Sequence, residues 1–508
     1  MNRIIKRVIC IFMIVVTFMF SCGITNVAQA AKYENDLPIV YVKGRGRTIY
    51  NSKGKQLYPF TVSVEDQIMA KSDILVDAAQ KSMLTGNWDT FCDKLIEIVD
   101  PIFKELRLNN NGEATDGSYI IEASTPKVKK SGYYLYDYVF EYDSRLDPVA
   151  VSTKLNKYIN KVLEKTGKSK VQLVGRCLGS SIVASYLSFY GISKVDSVLF
   201  YVPSAMGTLL CGEVFSGKLK FNASTIDYYV NNYTTDSEVS DGMKTFLSIM
   251  TKLQVVGIGT STIQSIYNKI YKKLMPRLIL ASYGTMPAYW SMVGEPYYEL
   301  AKELVFGNET AKYAKLIKKI DNYHYNVQQK LYSKLTNFKK KGLKVAVIAK
   351  YDTMLLPVLE SSNKQADGLV ELETLSFGAT SANFKTIFSD SYIYKAEAAG
   401  TDKYISCDRI VDASTCLFPD NTWFIKDQIH GKFPSSVNYI MYEFFHKKAQ
   451  LTVWNSKYPQ FMDYIAKEDK LIDLKYSYEE DSNTQHQGAV LMNIIELFTK
   501  IFRIFFRK

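Results

Sequence analysis

The stretch VQLVGRCLGSSIVASYL, residues 171–187, begins as a short apolar strand and continues with the pattern of a helix. Gly175 and Gly179 flank the junction, and Cys177 stands between them. A sharp turn from strand to helix needs glycines because backbone passes close to backbone, and it holds its middle residue in a strained conformation. The pattern glycine-x-nucleophile-x-glycine in this context makes Cys177 a candidate nucleophile.

Apolar, β-branched runs bounded by turn residues predict further buried strands along the chain. Long helical patterns at Val149–Thr166 and Ser180–Tyr190 alternate with them. This alternation predicts an α/β fold with a mainly parallel sheet and helices on both faces. The predicted strands are Leu37–Lys43, Lys170–Val174, Val195–Val202, Leu343–Ala349 and Thr422–Lys426.

Between about Gly207 and Lys341 amphipathic helix patterns replace the strand patterns, which indicates a large helical cap inserted between two strands. The expected organisation has six segments. They are a signal peptide at residues 1–30, the first part of the core at 31–206, the cap at 207–341, the second part of the core at 342–450, a C-terminal extension at 451–488 and a basic amphipathic helix at 489–508.

The two ends of the chain carry the signals for location. Residues 1–30 combine basic residues, an apolar run and an Ala-x-Ala site, which predicts a cleaved signal peptide and a secreted protein. Residues 489–508 place aromatic and aliphatic residues at helical spacing beside Lys and Arg, so this helix packs on its own domain or lies on an anionic membrane or cell-wall surface. The formal net charge of +12 is dispersed without a binding motif, so no nucleic-acid partner is expected.

Five cysteines remain after the signal peptide, and an odd number in an exported protein predicts at least one free thiol. These are Cys92, Cys177, Cys211, Cys407 and Cys416. The sequence contains no Cys-x-x-Cys pair and no cluster with metal-ligand spacing, so neither a metal site nor another cofactor is predicted.

A nucleophilic cysteine needs a base and an acid. Of the four histidines in the chain, His430 follows a predicted strand and precedes a helix-like segment, which makes it the candidate base. Asp367, Asp408 and Asp352 are the main candidates for the acid, in the chain order nucleophile, acid, histidine. The other candidates for the acid are Asp412 and Asp420.

Two backbone N–H groups are expected to bind the oxyanion of an acyl-transfer reaction. The first belongs to Leu178, the residue after the candidate nucleophile. The second is expected from Arg45, because the glycines of Lys43-Gly-Arg-Gly46 follow an early strand and allow close backbone approach.

These segments resemble the lecithin:cholesterol acyltransferase-like group of α/β-hydrolase lipases. The resemblance implies an α/β-hydrolase fold and a Cys-His-Asp triad of Cys177, His430 and Asp367. Small bacterial lipases place their aspartate slightly more than twenty residues before the histidine, which keeps Asp408 as a rival. The similar segments are Pro38–Pro59, Phe140–Arg145, Val171–Gly179, Pro203–Thr208, Pro287–Met292 and Asp367–Ser376.

The chain departs from the family pattern at Lys43, Ser144 and Arg176, and it carries Cys177 in place of serine. The resemblance implies a secreted lipase-like esterase or acyltransferase that acts on an acyl ester, a thioester or a lipid. The departures and the basic helix at residues 489–508 support the alternative, a catalytically inactive hydrolase-fold protein that serves as an envelope-binding module.

Overall fold

The computed structural model describes residues 37–44, 48–62, 64–114, 117–121, 138–222, 224–226, 228–229 and 260–475. An eight-stranded sheet forms the centre of this part of the chain. Its strands are β1 (Ile39–Val42), β2 (Tyr138–Phe140), β3 (Val171–Arg176), β4 (Val195–Tyr201), β5 (Lys344–Tyr351), β6 (Thr422–Lys426), β7 (Phe461–Ile465) and β8 (Lys470–Asp473).

The strand order is β8-β7-β6-β5-β4-β3-β1-β2, and every neighbouring pair is parallel except β7 with β8. Strands β1 to β6 are almost wholly buried, as expected for parallel strands covered on both faces. The strands predicted near residues 39, 171, 195, 344 and 422 are confirmed, with bounds that differ by at most two residues. The fold is therefore an α/β fold with a mostly parallel sheet.

Helices flank the sheet and form a separate cluster beyond it. They are α1 (Val64–Met69), α2 (Ser72–Thr85), α3 (Asp89–Phe103), α4 (Pro148–Thr166), α5 (Leu178–Tyr190), α6 (Leu209–Phe215), α7 (Thr260–Ala281), α8 (Pro287–Trp290), α9 (Tyr298–Phe306), α10 (Ala314–Tyr323), α11 (Leu331–Lys340), α12 (Leu372–Leu375), α13 (Asp390–Ala399) and α14 (Val437–His446). A π-helical turn, His324–Gln328, joins α10 to α11.

Apolar side chains cover both faces of the sheet. Helices α4, α5 and α11 pack on one face, where Leu155, Ile182 and Leu335 join the strand residues in one buried cluster. Helices α12 and α14 pack on the other face, which they cover with residues such as Leu372 and Ile440. The expectation of helices on both faces is confirmed.

A third apolar cluster consists mainly of helices outside the sheet. It joins α6, α7 and α9 to α1, α2 and α3, and it includes residues 354–359, which follow the carboxyl end of β5. Two features differ from the expected segments. Helices α1 to α3 lie within residues 31–206 yet pack with the cap helices, and α11 lies within residues 207–341 yet packs on the sheet. The pattern of each helix predicts an apolar face but not which neighbour covers it.

Shorter elements complete the described chain. Three short strands, Gln56–Tyr58, Ile49–Tyr50 and Tyr119–Ile120, pair in that order, and two more pairs join Thr353–Met354 to Gln365–Ala366 and Thr380–Ser381 to Val411–Asp412. The expected signal peptide at residues 1–30 and the expected basic helix at 489–508 lie outside the described residues. Of the helices in the described ranges, none combines the length and apolar character needed to cross a bilayer.

Candidate active site

Cys177 occupies the turn between β3 and α5 in a left-handed conformation. Its φ is 49° and its ψ is −127°, a combination that is sterically unfavourable for a residue with a side chain. The turn is held from both sides, because the Cys177 N–H donates to the Tyr201 carbonyl at 3.2 Å and its carbonyl accepts from the Ser180 N–H at 2.8 Å. The Ser180 hydroxyl also donates to that carbonyl and accepts from the Ser204 N–H at 3.0 Å.

The glycines around Cys177 are required by close packing. A Cβ atom on Gly179 would lie 2.3 Å from the Val42 carbonyl oxygen and 2.4 Å from the Lys43 carbonyl oxygen. A Cβ on Gly44 would lie 2.7 Å from the Cys177 Cβ. The end of β1 therefore passes directly against the turn.

His430 and Asp367 form a buried hydrogen-bonded pair. His430 Nδ1 lies 2.6 Å from Asp367 Oδ2, and the His430 N–H donates to the Asp367 carbonyl at 2.8 Å. The other carboxylate oxygen, Oδ1, accepts the N–H groups of Leu369 at 3.1 Å and Val370 at 2.9 Å. Asp367 is fully buried and His430 is 4% exposed. The carboxylate thus has partners for both oxygens and fixes the orientation of the imidazole.

The second ring nitrogen of His430, Nε2, is buried and makes no hydrogen bond of ordinary geometry to any described residue. The imidazole and the Cys177 thiol nevertheless interact, and each shifts the pKa of the other. Burial would lower the pKa of His430, but the Asp367 carboxylate and the Cys177 thiolate raise it well above its ordinary value. Nε2 is therefore placed to hold a proton beside the sulfur.

The pKa of the Cys177 thiol moves in the opposite direction. Burial would raise this pKa, but the charge and hydrogen-bonding capacity of His430 lower it. The Leu178 N–H and the Arg176 guanidinium act in the same direction. The pKa of Cys177 lies below its ordinary value as a result, so the site favours a thiolate beside an imidazolium.

The expected oxyanion site is described in part. The Leu178 N–H lies at the start of α5 and donates toward the Cys177 side chain. Arg45, the other expected donor, lies outside the described residues. The adjoining end of β1 is anchored by Tyr142, whose hydroxyl donates to the Lys43 carbonyl at 2.7 Å. Burial raises the pKa of Tyr142 well above its ordinary value, so this hydroxyl remains a donor.

The other candidate acids lie in different environments. Asp408 accepts from Ser406 Oγ at 2.6 Å and forms an ion pair with Lys426 at 3.2 Å. Asp352 also pairs with Lys426, at 3.6 Å. Asp412 accepts the Ser414 N–H, and Asp420 accepts the hydroxyl of Tyr404. The structure therefore places Asp367, rather than the rivals, against His430.

Two other described histidines have partners of their own. His324 lies in the π-helical turn, with Nδ1 2.7 Å from Gln328 Oε1 and Nε2 3.0 Å from Glu295 Oε1. His446 Nδ1 lies 2.8 Å from the Tyr442 carbonyl oxygen. His486 lies outside the described residues.

Three residues around the site were not predicted from the sequence: Tyr142, Tyr201 and Lys350. Lys350 gave a signal in the sequence, since a lysine interrupts the apolar run of β5. In the structure this lysine is fully buried, which is rare for lysine. Tyr201 gave none, because tyrosine is common in buried strands, and Tyr142 gave only its place in the family-like segment Phe140–Arg145. Within the described ranges no group of three or more His, Cys, Asp or Glu is arranged to hold a metal ion, and Cys92, Cys177, Cys211, Cys407 and Cys416 are free thiols.

The sequence matches no model of a known protein family, and no curated protein is significantly similar to it. The function is therefore inferred from the geometry of the site.

Proposed function

We propose that this protein is a cysteine-dependent α/β-hydrolase that cleaves or transfers the acyl group of a carboxylic ester or thioester. One observation carries the proposal: a buried Asp367–His430 pair, joined at 2.6 Å, faces a strained Cys177 at the start of a helix. The strand order around β3 and the resemblance to lecithin:cholesterol acyltransferase-like lipases agree with it. Cys177 is the proposed nucleophile, His430 the base that carries the proton, and Asp367 the carboxylate that orients the imidazole.

In the first half of the reaction, the Cys177 thiolate attacks the carbonyl carbon of the substrate and forms a C–S bond. The carbonyl oxygen becomes an oxyanion, which the Leu178 N–H stabilises together with a second donor expected from Arg45. His430 Nε2 then gives its proton to the departing alkoxide or thiolate as the tetrahedral intermediate collapses. An acyl-thioester on Cys177 and a free alcohol or thiol result.

In the second half, neutral His430 accepts a proton from water or from an acceptor alcohol, whose oxygen attacks the thioester carbonyl. The C–S bond breaks and Cys177 leaves as a thiolate beside the protonated imidazole. Asp367 stabilises that imidazolium, and its carboxylate accepts the hydrogen bond from His430 Nδ1. Water gives hydrolysis, whereas an alcohol gives acyl transfer.

The proposal extends to substrate and location. The substrate class is an acyl ester, a thioester or a lipid acyl chain, and the protein acts outside the cell after loss of residues 1–30. Residues 489–508 hold it at an anionic membrane or cell-wall surface. Flotation with anionic liposomes tests this contact, since a chain that lacks residues 489–508 should remain at the bottom of the gradient. Equal flotation of both forms would remove this part of the proposal.

The central experiment combines turnover with thiol labelling. Mature protein is incubated with p-nitrophenyl esters of several chain lengths, and in parallel with iodoacetamide, followed by mass spectrometry of each cysteine. We expect ester turnover and selective alkylation of Cys177 at neutral pH. Cys407 is the internal control. The residue is exposed, but partial burial of its sulfur raises the pKa of its thiol to about 11, so it should react slowly at neutral pH.

The matched variants are Cys177→Ala and Cys407→Ala. The first should abolish turnover, whereas the second should leave it unchanged. Absence of turnover on every ester and thioester, together with inert Cys177, would overturn the enzymatic proposal and favour the envelope-binding module instead.

A further inference from the structure

A buried lysine contacts the loop that carries His430. Lys350, near the end of β5, is fully buried, and its Nζ donates to the carbonyl oxygens of Ile429 at 2.9 Å and Lys432 at 2.6 Å. These carbonyls lie on either side of His430, in a segment between β6 and α14 that has no regular secondary structure. A single ammonium group thus links the residue before His430 to the second residue after it.

An arginine contacts the same loop from the neighbouring side. Arg176, the last residue of β3 and the one before Cys177, donates from Nη2 to the Gly431 carbonyl at 3.1 Å. Its guanidinium also lies 5.3 Å from the ring centre of Phe433, two residues farther along. The contact connects the nucleophile's own strand to the loop of the base.

Tyr201 lies between the two cations. Its ring centre is 5.6 Å from the Arg176 guanidinium carbon and 5.2 Å from Lys350 Nζ. Its hydroxyl donates to the Lys432 carbonyl at 3.3 Å. Cations over an aromatic face are attracted to it, so this ring on β4 stabilises both side chains in their contacts with the loop.

We propose that Arg176 and Lys350 are positioning residues, which hold the carbonyls of residues 429, 431 and 432 and thereby keep His430 Nε2 directed at the Cys177 sulfur. The inference rests on the proposed function, since it assigns these cations to the same Cys177–His430 pair.

The energetics favour a specific role for Lys350. A fully buried ammonium group carries a large desolvation cost, and an aliphatic side chain would fit the apolar run of β5 without that cost. The loop carbonyls have no helix or strand ladder to satisfy them, and Lys350 supplies two strong charge-assisted hydrogen bonds. Lys350 therefore holds in place a segment that no helix or strand fixes.

Arg176 adds an electrostatic contribution. Its positive charge, one residue from Cys177, helps to lower the pKa of the thiol. A serine hydroxyl would gain little from this charge, whereas a thiolate gains directly. Arginine before the nucleophile is thus consistent with cysteine as the nucleophile.

The test uses Lys350→Met and Arg176→Gln in the full mature protein. The control is Lys344→Met, which removes a lysine at the far end of the same strand, where it pairs with Asp196 at 3.2 Å. We expect both test variants to lower kcat about 10- to 100-fold while KM changes little, because misplacement of the base affects the chemical step. The control should retain wild-type kcat.

A second readout does not depend on turnover. The rate of Cys177 alkylation by iodoacetamide is followed against pH, and Arg176→Gln should move the apparent thiol pKa upward. Arg176→Lys should restore this pKa but only part of kcat, because it keeps the charge and loses the fork geometry. A merely structural role would leave the pH profile of each folded variant unchanged.

Circular dichroism and thermal melting identify folded variants, and if Lys350→Met does not fold, the Arg176 variants decide the question. Wild-type kcat and an unchanged alkylation profile in Arg176→Gln would overturn the proposal. If the wild type turns over no ester, the proposed function fails. The alkylation profile of Lys350→Met then supports the contact with the His430 loop if the thiol pKa rises and refutes it if this pKa is unchanged, because Arg176, and not Lys350, acts on the thiol through its own charge.

Discussion

His430 is joined to Asp367 twice: its ring nitrogen Nδ1 lies 2.6 Å from the carboxylate, and its main-chain N–H donates to the Asp367 carbonyl at 2.8 Å. The main-chain link sets the distance between the two loops, and the side-chain link sets the orientation and charge of the imidazole. Replacement of the Asp367 carboxylate by an amide removes the charge and keeps the main-chain link, so it separates the electrostatic effect of Asp367 from its structural effect.

Substitution of Asp367 by Asn should lower kcat about 10³-fold or more while the fold is retained, because the amide no longer stabilises the imidazolium. The carboxylate is the main influence that raises the pKa of His430, so this pKa should fall in Asp367→Asn. Ester hydrolysis measured with p-nitrophenyl substrates checks the effect. Asp408→Asn is the matched control, since Asp408 is also buried but pairs with Lys426; an equal loss of kcat in both variants would contradict the assignment.

The pH dependence of Cys177 alkylation should report the thiolate–imidazolium pair. In the wild type the rate should rise at a pH below 9.0, the ordinary thiol pKa, because His430 lowers the pKa of Cys177. In His430→Ala the rise should move to higher pH, since burial is the largest influence on this thiol and acts to raise its pKa. Identical profiles would show that the imidazole does not act on the sulfur. Ester turnover should also decline at high pH, where His430 loses the proton needed by the leaving group.

Tyr142→Phe should reduce kcat about 10-fold through the end of β1. The substitution removes the 2.7 Å hydrogen bond to the Lys43 carbonyl, at a cost of about 1 kcal/mol. Tyr158→Phe provides the control, because its hydroxyl donates to the Val139 carbonyl at 2.9 Å, away from the turn. Both variants should lose similar stability in urea denaturation, whereas the loss of kcat should be confined to Tyr142→Phe.

Gly179→Ala should be much more damaging than Gly175→Ala. A Cβ on Gly179 would meet two backbone oxygens at 2.3 and 2.4 Å, so the end of β1 must move away from Cys177. A Cβ on Gly175 would meet its nearest atom, the Ser180 Cα, at 3.1 Å, which a small shift can accommodate. We expect destabilisation of about 3 kcal/mol or more in the first variant and about 1 kcal/mol in the second. Comparable melting temperatures would contradict the close approach.

The local pattern predicted much of the fold and the central residues of the site. Apolar runs located strands β1 and β3 to β6. The position of His430 after a strand was enough to select it as the candidate base, because the carboxyl ends of parallel strands meet at one edge of a sheet. The choice of Asp367 over Asp408 came from a resemblance, since both aspartates follow β5 and precede His430. The roles of Lys350 and Arg176 depend on which carbonyls the folded loop directs at them, and no spacing in the chain encodes that. For the same reason the helices at residues 64–103 could not be assigned to the cap cluster.

Glu371 should make stability depend on pH. It is 6% exposed, and burial raises its pKa from 4.5 to about 7, although it accepts the Leu209 N–H at 2.9 Å. A raised carboxyl pKa means that its protonated form stabilises the folded state. This contribution is complete below pH 4.5 and is lost as the pH rises to about 7. Glu371→Gln cannot titrate, so its free energy of unfolding relative to wild type should increase by about 2 kcal/mol between pH 5 and pH 8. Urea denaturation at the two pH values measures this difference. The exposed neighbour variant Glu373→Gln should show little change, and a pH-independent difference for Glu371→Gln would contradict the shifted pKa.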